Sequence, residues 1–313
     1  MICPKCSREN LTEVEFCSYC RASIKLRKTR TLSELTTEEI VAIIESDLHG
    51  AYPPQGNSLS KSDGPDAIWR VTGIPDKYFN NVTYVNWPST EVTHCVKKLV
   101  EKLDIYEIDY SWWISPSSSP KELPKILESH SMIYQEDFPG MAIDLRYLRD
   151  QPSELSGIED LKISRINNRD ELDEFTHTFT VATNSNPEIQ SGLTRLLNMS
   201  GYGQADDWAH YAGTLHGKTV ATTSVFTGAG VAGIYLVSTI PEARNRKIAT
   251  TIVRHVLKQA REAGYNIGTL QSSKEGLGLY LKLGFREYLS LIHISEPTRP
   301  RLIWYAVFCL KKK

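Results

Sequence analysis

The stretch that most constrains this chain is residues 239–264, TIPEARNRKIATTIVRHVLKQAREAG. It follows an apolar run in which Val237 and Thr239 stand two apart, so in a strand their side chains share a face. Pro241 has no amide hydrogen for a ladder and ends that strand. From Ile248 onward, Ile252, Val253, Val256, Leu257 and Ala260 recur at helical spacing and make one apolar face. A strand that passes at once into an amphipathic helix needs a sheet for the helix to lie on, which puts the chain in the α/β class. The junction is also basic. The amides around Arg244 to Thr250 lie ahead of the helical hydrogen-bond ladder and gather partial positive charge. Arg244, Arg246 and Lys247 add full charges, and Ala249 keeps the approach open. Such a junction suits a phosphate or pyrophosphate. A solvated helix start on an ordinary α/β domain is the competing interpretation.

The order of elements around the junction is regular. Residues 161–288 begin with a strand, LKISRI, and two helices, RDELDEFTHTFTVAT and PEIQSGLTRLLNMSG. Three strands follow between Trp208 and Thr239, with turns at 216–218 and at the glycine-rich 228–230. After the basic helix come a strand, NIGTLQSS, a short helix, KEGLGLYLKLG, and a strand start, FREY. Residues 31–150 read as a first α/β unit. It opens with a helix capped by Thr36 whose face carries Ile40, Ile43 and Ile44. PPQGNSLSKSDGPD is a loop, IYEIDYSWWISPSSS a strand entering a turn, KELPKILESHSM a short helix and GMAIDLRYL a strand. RDQPSELSGIED separates this unit from the next.

Four of the six cysteines, Cys3, Cys6, Cys17 and Cys20, form two CxxC pairs at the N-terminus. That spacing brings four thiolates to one tetrahedral point, a structural zinc ribbon over residues 1–22, with a disulfide pair as the alternative. So small a segment cannot bury a core, and the metal would supply its folding energy. Residues 23–30 are a basic linker. The first residues show no signal peptide, which predicts a reducing, cytoplasmic setting. No apolar run is long enough to span a bilayer. The formal net charge of -1 argues against a nucleic-acid footprint over the whole chain.

At the basic junction the sequence resembles the GNAT superfamily of acyl-CoA-dependent N-acetyltransferases. The family's phosphate loop, Arg/Gln-x-x-Gly-x-Gly/Ala, is met by Arg244-Asn245-Arg246-Lys247-Ile248-Ala249, with Lys247 where the family has glycine. A right-handed backbone at that position accommodates lysine, whereas a positive φ makes it costly and counts against coenzyme binding. LQSSKEGLGLYLKLGF resembles the family's later strand and helix, and Tyr280 matches the tyrosine that sits by the CoA sulfur as general acid. The resemblance covers residues 161–288. It implies a mixed central sheet flanked by helices, preceded here by the zinc ribbon, and direct acetyl transfer from acetyl-CoA to a primary amine. Arg244 to Thr250 would hold the diphosphate, with Ile248 and Thr250 offering amides. Val237 and Thr239 would bond the pantetheine arm from one strand. Ser272 or Ser273 would approach it from the next. Val237 would also offer its amide to the acyl oxygen. No base stands out: Glu242 reads as part of the loop's ordinary pattern, His210 is a guess, and a water chain would serve equally well. More loosely, WWISPSSSPKELPKILESH and PGMAIDL resemble the first half of tandem members, a degenerate copy without a phosphate loop.

Residues 289–313 raise a different expectation. LSLIHISEPTR can be spelled by codons that resemble, in frame, a transposase-type sequencing adaptor. IWYAVFCL resembles the adaptor's outer end, with Trp304 where a serine is expected, and three lysines close the chain as an oligo-A run would. The sequence therefore predicts that the natural protein departs near Tyr288 and that this tail is not native to it. A genuine C-terminal strand pair is the alternative. Loss of the native last strands would leave the chain poorly stable or inactive. Two rivals to the enzyme remain at this point. One is a non-catalytic acyl-CoA-binding or docking protein that uses the ribbon to recruit a partner. The other is an acyltransferase directed to nucleic acid by the ribbon.

Overall fold

The computed structural model describes residues 31–51, 61–62, 66–148, 158, 160–199, 201 and 207–296. The four cysteines expected to bind zinc, the basic linker, most of the separator and residues 297–313 lie outside the described residues. Helix α1 (Thr37–Gly50) starts as its sequence predicts. Thr36 accepts from the Glu39 amide at 3.3 Å, and the Glu39 carboxylate accepts from the Thr36 amide at 2.7 Å. This reciprocal pair satisfies two amides that a helix start leaves without partners. Ile40, Ile43 and Ile44 are buried as expected, but so is every residue from Glu45 to Gly50. The helix runs through the interior rather than along a surface.

The first half continues with strands β1 (Lys61–Ser62), β2 (Ala67–Arg70) and β3 (Asn81–Val85), and helix α2 (Val92–Asp104). Strand β4 (Ser111–Ile114), helix α3 (Leu123–Ser129) and strand β5 (Ile133–Asp144) complete it. β1, β2, β3 and α2 were not anticipated, and β1 falls within the stretch expected to be a loop. For α2 the signal was present, since Val92, Val96, Leu99 and Leu103 recur at helical spacing and are its buried residues. The second half follows the expected order: strand β6 (Leu161–Arg165), helices α4 (Arg169–Thr183) and α5 (Pro187–Met199), and strands β7 (Trp208–Leu215), β8 (Lys218–Phe226) and β9 (Ala232–Thr239). Helix α6 (Ile248–Glu262), strand β10 (Ile267–Gln271), helix α7 (Leu277–Leu283) and strand β11 (Arg286–Ser295) end it. The turn between β7 and β8 takes positive φ at His216 and Gly217, which suits the right-handed twist of a two-residue hairpin.

All eleven strands form one mixed sheet in the order β1-β2-β3-β4-β11-β5-β10-β9-β8-β7-β6. The fold is the expected α/β class with helices against a central sheet. The middle of the order shows an exchange between the halves. β5, from the first half, pairs antiparallel with β10, and β11, from the second, pairs antiparallel with β4. β5 and β11 then pair with each other. Each half lends a strand to the other's sheet.

Leu289 to Ser295, the start of the suspected tail, continue β11 in the centre of the sheet. Leu291 and Ile294 are fully buried. LSLIHIS alternates apolar and polar residues over most of its length, and that is sufficient for a strand between two waiting edges. On one face of β7 to β10, α6 buries Ile248, Ile252, Val253, Val256 and Leu257 at no more than 1% exposure. Each such side chain contributes roughly 1.5–3 kcal/mol relative to exposure, so this face fixes α6 and the loop that leads into it. No helix among the described residues is long and apolar enough to cross a membrane.

Candidate functional site

The site is built by two parallel strands that part. β9 and β10 pair only at Ala232–Gly268 and Gly233–Thr269. Beyond those residues β9 stays with β8, where Ser238 and Thr239 face Thr222 and Ala221. β10 stays with β5, where Leu270 and Gln271 face Met141 and Gly140. The result is a fork whose arms are each satisfied on their outer side only. A bulge in β9 sharpens it. Leu236 and Val237 have no counterpart in the β8 register, and Leu236 holds φ at +50°. The Leu236 carbonyl accepts from Thr222 Oγ1 at 2.8 Å. Bulges of this kind re-aim the backbone and increase local twist.

One arm of the fork leads straight into the basic junction. A single 3₁₀ turn, Pro241–Ala243, separates β9 from the loop. Asn245 and Lys247 both take left-handed backbone angles, φ +60° at each, on either side of Arg246. The first helical hydrogen bond of α6 runs from the Thr251 amide to the Lys247 carbonyl at 3.0 Å. The amides of Ile248, Ala249 and Thr250 therefore precede the ladder at the positive end of a 15-residue helix. Lys247 takes the costlier of its two outcomes, since a left-handed angle disfavours any side chain with a Cβ by about 1–2 kcal/mol.

The charges around the loop are not equivalent. Arg246 and Lys247 are exposed. Arg244 is bound into the frame, with Nε donating to the Thr239 carbonyl at 3.1 Å and Nη2 to the Ala182 carbonyl at 2.7 Å. It ties the end of β9 to the last turn of α4, where a cation meets the negative end of the helix.

The other arm carries the second motif. Ser272 is buried, its amide donating to the Pro139 carbonyl at 2.9 Å and its hydroxyl to the Ser273 carbonyl at 2.7 Å. Ser273 Oγ accepts from the Gly276 amide at 3.3 Å. A methyl group at Gly276 would lie 2.9 Å from the Tyr280 ring, 3.4 Å from Ser272 Oγ and 3.6 Å from Ser273 Oγ. The two serines and the tyrosine are thus gathered around one glycine. Tyr280 packs edge-on against Phe285, and burial pushes its phenol above the ordinary value. The phenol stays protonated across the neutral range.

The two residues at hand as bases fare differently. Glu242 is exposed within the 3₁₀ turn. His210 is fully buried, bonded through Nδ1 to Ser224 Oγ at 2.8 Å and stacked on Trp208. Burial, with the Arg165 charge second, pushes it down to about 4. An imidazole so buried and held so far below its ordinary value is a weak proton acceptor, which fits packing better than base chemistry.

The first half has a similar parting of strands, but its own chain fills it. β3 and β4 pair in parallel only at Asn81–Ser111 and Val82–Trp112. Ser119 then enters the gap, its amide donating to the Val85 carbonyl at 2.9 Å and its carbonyl accepting from the Trp87 amide at 3.0 Å. The helix that follows, α2, has Glu91 at its N-cap and no lysine or arginine in its first turn.

Residues 174–285 match the model of the acetyltransferase (GNAT) family. That segment holds the fork, the loop and Tyr280. Among solved structures, a GCN5-related N-acetyltransferase from Kribbella flavida superposes with a TM-score of 0.58 at 14% identity, covering 83% of this chain and 96% of that one. A GCN5-related N-acetyltransferase from Sphaerobacter thermophilus gives 0.58 at 16% identity, covering 81% and 85%. A tandem GNAT protein from the clavulanic acid biosynthesis pathway gives 0.51 at 14% identity, covering 83% and 88%. At these identities the structures speak for a shared fold. No curated protein sequence matches the chain.

Proposed function

We propose that the chain is an N-acetyltransferase that passes an acetyl group from acetyl-CoA directly to a primary amine at the β9–β10 fork. In this reading the chain is a tandem, with a degenerate unit at 31–150 and an active unit at 161–288. The observation that carries it is the fork itself, whose arms cease to pair with each other and one of which ends at the start of a basic helix.

The residues fit the coenzyme in two further respects. Thr239 Oγ1 on one arm and Gln271 Nε2 on the other are buried side-chain atoms without a partner. Such atoms cost about 1–3 kcal/mol each, unless a ligand meets them. The fork also has the shape for an extended arm that bonds strands on both sides, with Val237 and Thr239 presenting backbone groups from β9. The amides of Ile248, Ala249 and Thr250, together with Asn245, Arg246 and Lys247, would cradle the diphosphate, while Arg244 holds the loop in place. Ser273 would flank the arm from β10.

The coenzyme supplies an activated acetyl thioester. The Val237 amide would meet negative charge developing on the acyl oxygen. Tyr280 would donate a hydrogen bond to the departing sulfur. Because burial raises the phenol, full proton transfer to sulfur is uphill and the hydrogen bond is its main contribution. The attacking amine must arrive neutral, and a water chain along the open arm would take its proton.

Thiol release from acetyl-CoA in the presence of a panel of amines tests the reading. Amine-dependent release is expected, and binding without release across the panel would count against it. Tyr280→Phe is expected to lower kcat about 100-fold, the scale of losing one hydrogen-bond donor to developing negative charge, with the KM for acetyl-CoA unchanged. A second reading, a non-catalytic acyl-CoA-binding or docking protein, is favoured by the left-handed Lys247. Its docking module, the zinc ribbon of Cys3, Cys6, Cys17 and Cys20, lies outside the described residues.

A further inference from the structure

Helix α1 belongs to the first half, yet it reaches the base of the fork in the second. Asp47 is fully buried. Its Oδ2 accepts from the Tyr235 hydroxyl at 2.7 Å and from Thr269 Oγ1 at 3.0 Å. Thr269 is the last β10 residue paired with β9, and Tyr235 lies two residues past its partner Gly233, on the free part of the β9 arm. The carboxylate therefore sits across the crotch with one hydrogen bond to each arm. Gly233 is glycine for the same reason, because a Cβ there would overlap both oxygens of Asp47.

The same turns of α1 hold the first half. Glu45 Oε1 accepts from the Ser117 amide at 3.0 Å, and His49 Nε2 lies 3.0 Å from the Thr83 carbonyl. The Arg70 guanidinium donates to the His49 carbonyl. Three residues of one helix thus fasten both halves, and Asp47 is the one directed at the fork.

We infer that Asp47 is a positioning residue that fixes the opening of the fork for the coenzyme, so that the first half is a working part of the second half's site. The inference rests on the acetyl-CoA reading of that site. Adjacent strands stand about 4.8 Å apart, so an extended ligand bonded to both arms needs them roughly 10 Å apart. A carboxyl oxygen has two lone pairs, so Oδ2 can accept from both hydroxyls at once. Bonded to both arms where they part, it acts as a tie and as a spacer. Both bonds end on Oδ2, so asparagine can keep them through its carbonyl oxygen, whereas alanine removes both. Phenylalanine at 235 removes the β9 bond and leaves the carboxylate in place.

The test uses the full chain, with acetyl-CoA binding measured by calorimetry and folding by thermal melting. Asp47→Ala and Tyr235→Phe are each expected to weaken acetyl-CoA binding about tenfold or more. The double variant should bind no more weakly than Asp47→Ala alone, because alanine has already removed the bond from Tyr235. Unchanged binding in folded Asp47→Ala or Tyr235→Phe, with only the melting temperature lowered, would overturn the inference and leave the acetyl-CoA reading standing. Independent, multiplicative losses in the double variant would also overturn it. If Asp47→Ala does not fold, Tyr235→Phe decides alone. Failure of the unaltered chain to bind acetyl-CoA would instead remove the functional reading, and this inference with it.

Discussion

Lys247 is the residue at which local backbone and charge pull in different directions. Its left-handed angle costs a lysine about 1–2 kcal/mol that a glycine avoids, while its ammonium stands at the mouth of an anion cradle. Lys247→Gly is therefore expected to raise stability by about 1 kcal/mol in a denaturant titration, and Lys247→Val to lower it. A destabilised glycine variant would show that the side chain supports the loop by more than the angle costs it. His210 makes the opposite kind of point, a titratable group kept neutral. Its folded pKa of about 4 lies below the ordinary 6.5, so between those values the unfolded chain binds more protons. The contribution is fully present above pH 6.5 and is lost as pH falls toward 4, by at most about 3 kcal/mol for a shift of this size. In His210→Asn the fall in stability between pH 6.5 and 4 should be shallower by that share, as measured by melts across the range. Both residues were visible in the sequence, but neither φ at 247 nor burial at 210 could be read there. The first depends on how the loop closes, the second on Trp208 and Phe175 packing around the ring.

Elements were legible where their signal is local. The Thr36 cap, the apolar face of α6, the His216-Gly217 turn and the order of strands in the second half follow from spacing alone. The fork did not, because the parting of β9 from β10 is set by their outer partners β8 and β5. The role of α1 was hidden for a related reason. Its polar residues Glu45, Asp47 and His49 look like a solvated face, yet each finds a partner from a distant part of the chain. A helix that fastens two halves should feel the loss of its start. Thr36→Ala removes one side of the capping box and is expected to cost about 1 kcal/mol by denaturant unfolding. If α1 also sets the fork, acetyl-CoA protection against thermal unfolding should shrink in the same variant. Intact protection beside a lost cap would mean that fraying at residue 37 does not reach Asp47, ten residues along the helix.

At the scale of the whole molecule the exchanged strands decide what can be removed. Sequence periodicity finds a strand but not its neighbours, so the crossing of β5 and β11 between halves was beyond it. So was the filling of the first parting by Ser119. The tail shows the same limit from the other side. Codon resemblance speaks to where residues came from, whereas a sheet with two open edges accepts any segment of suitable alternation. In β11, Leu289 to Ser295 cover β5 from Gly140 to Ile133 and β4 from Ile114 to Ser111. A chain ending at Tyr288 would leave both edges unpaired in the middle of the sheet and uncover the sites of Leu291 and Ile294. Unpaired edges beside exposed apolar surface promote association. The truncated chain is therefore expected to aggregate or to lose its cooperative melt, while the 313-residue chain melts in a single transition. A 288-residue chain that melts cooperatively within a few degrees of the full one would show that the sheet closes without the strand. A different natural segment with the same alternation, joined after Tyr288, should restore the transition, because pairing and burial require the pattern and not these particular residues.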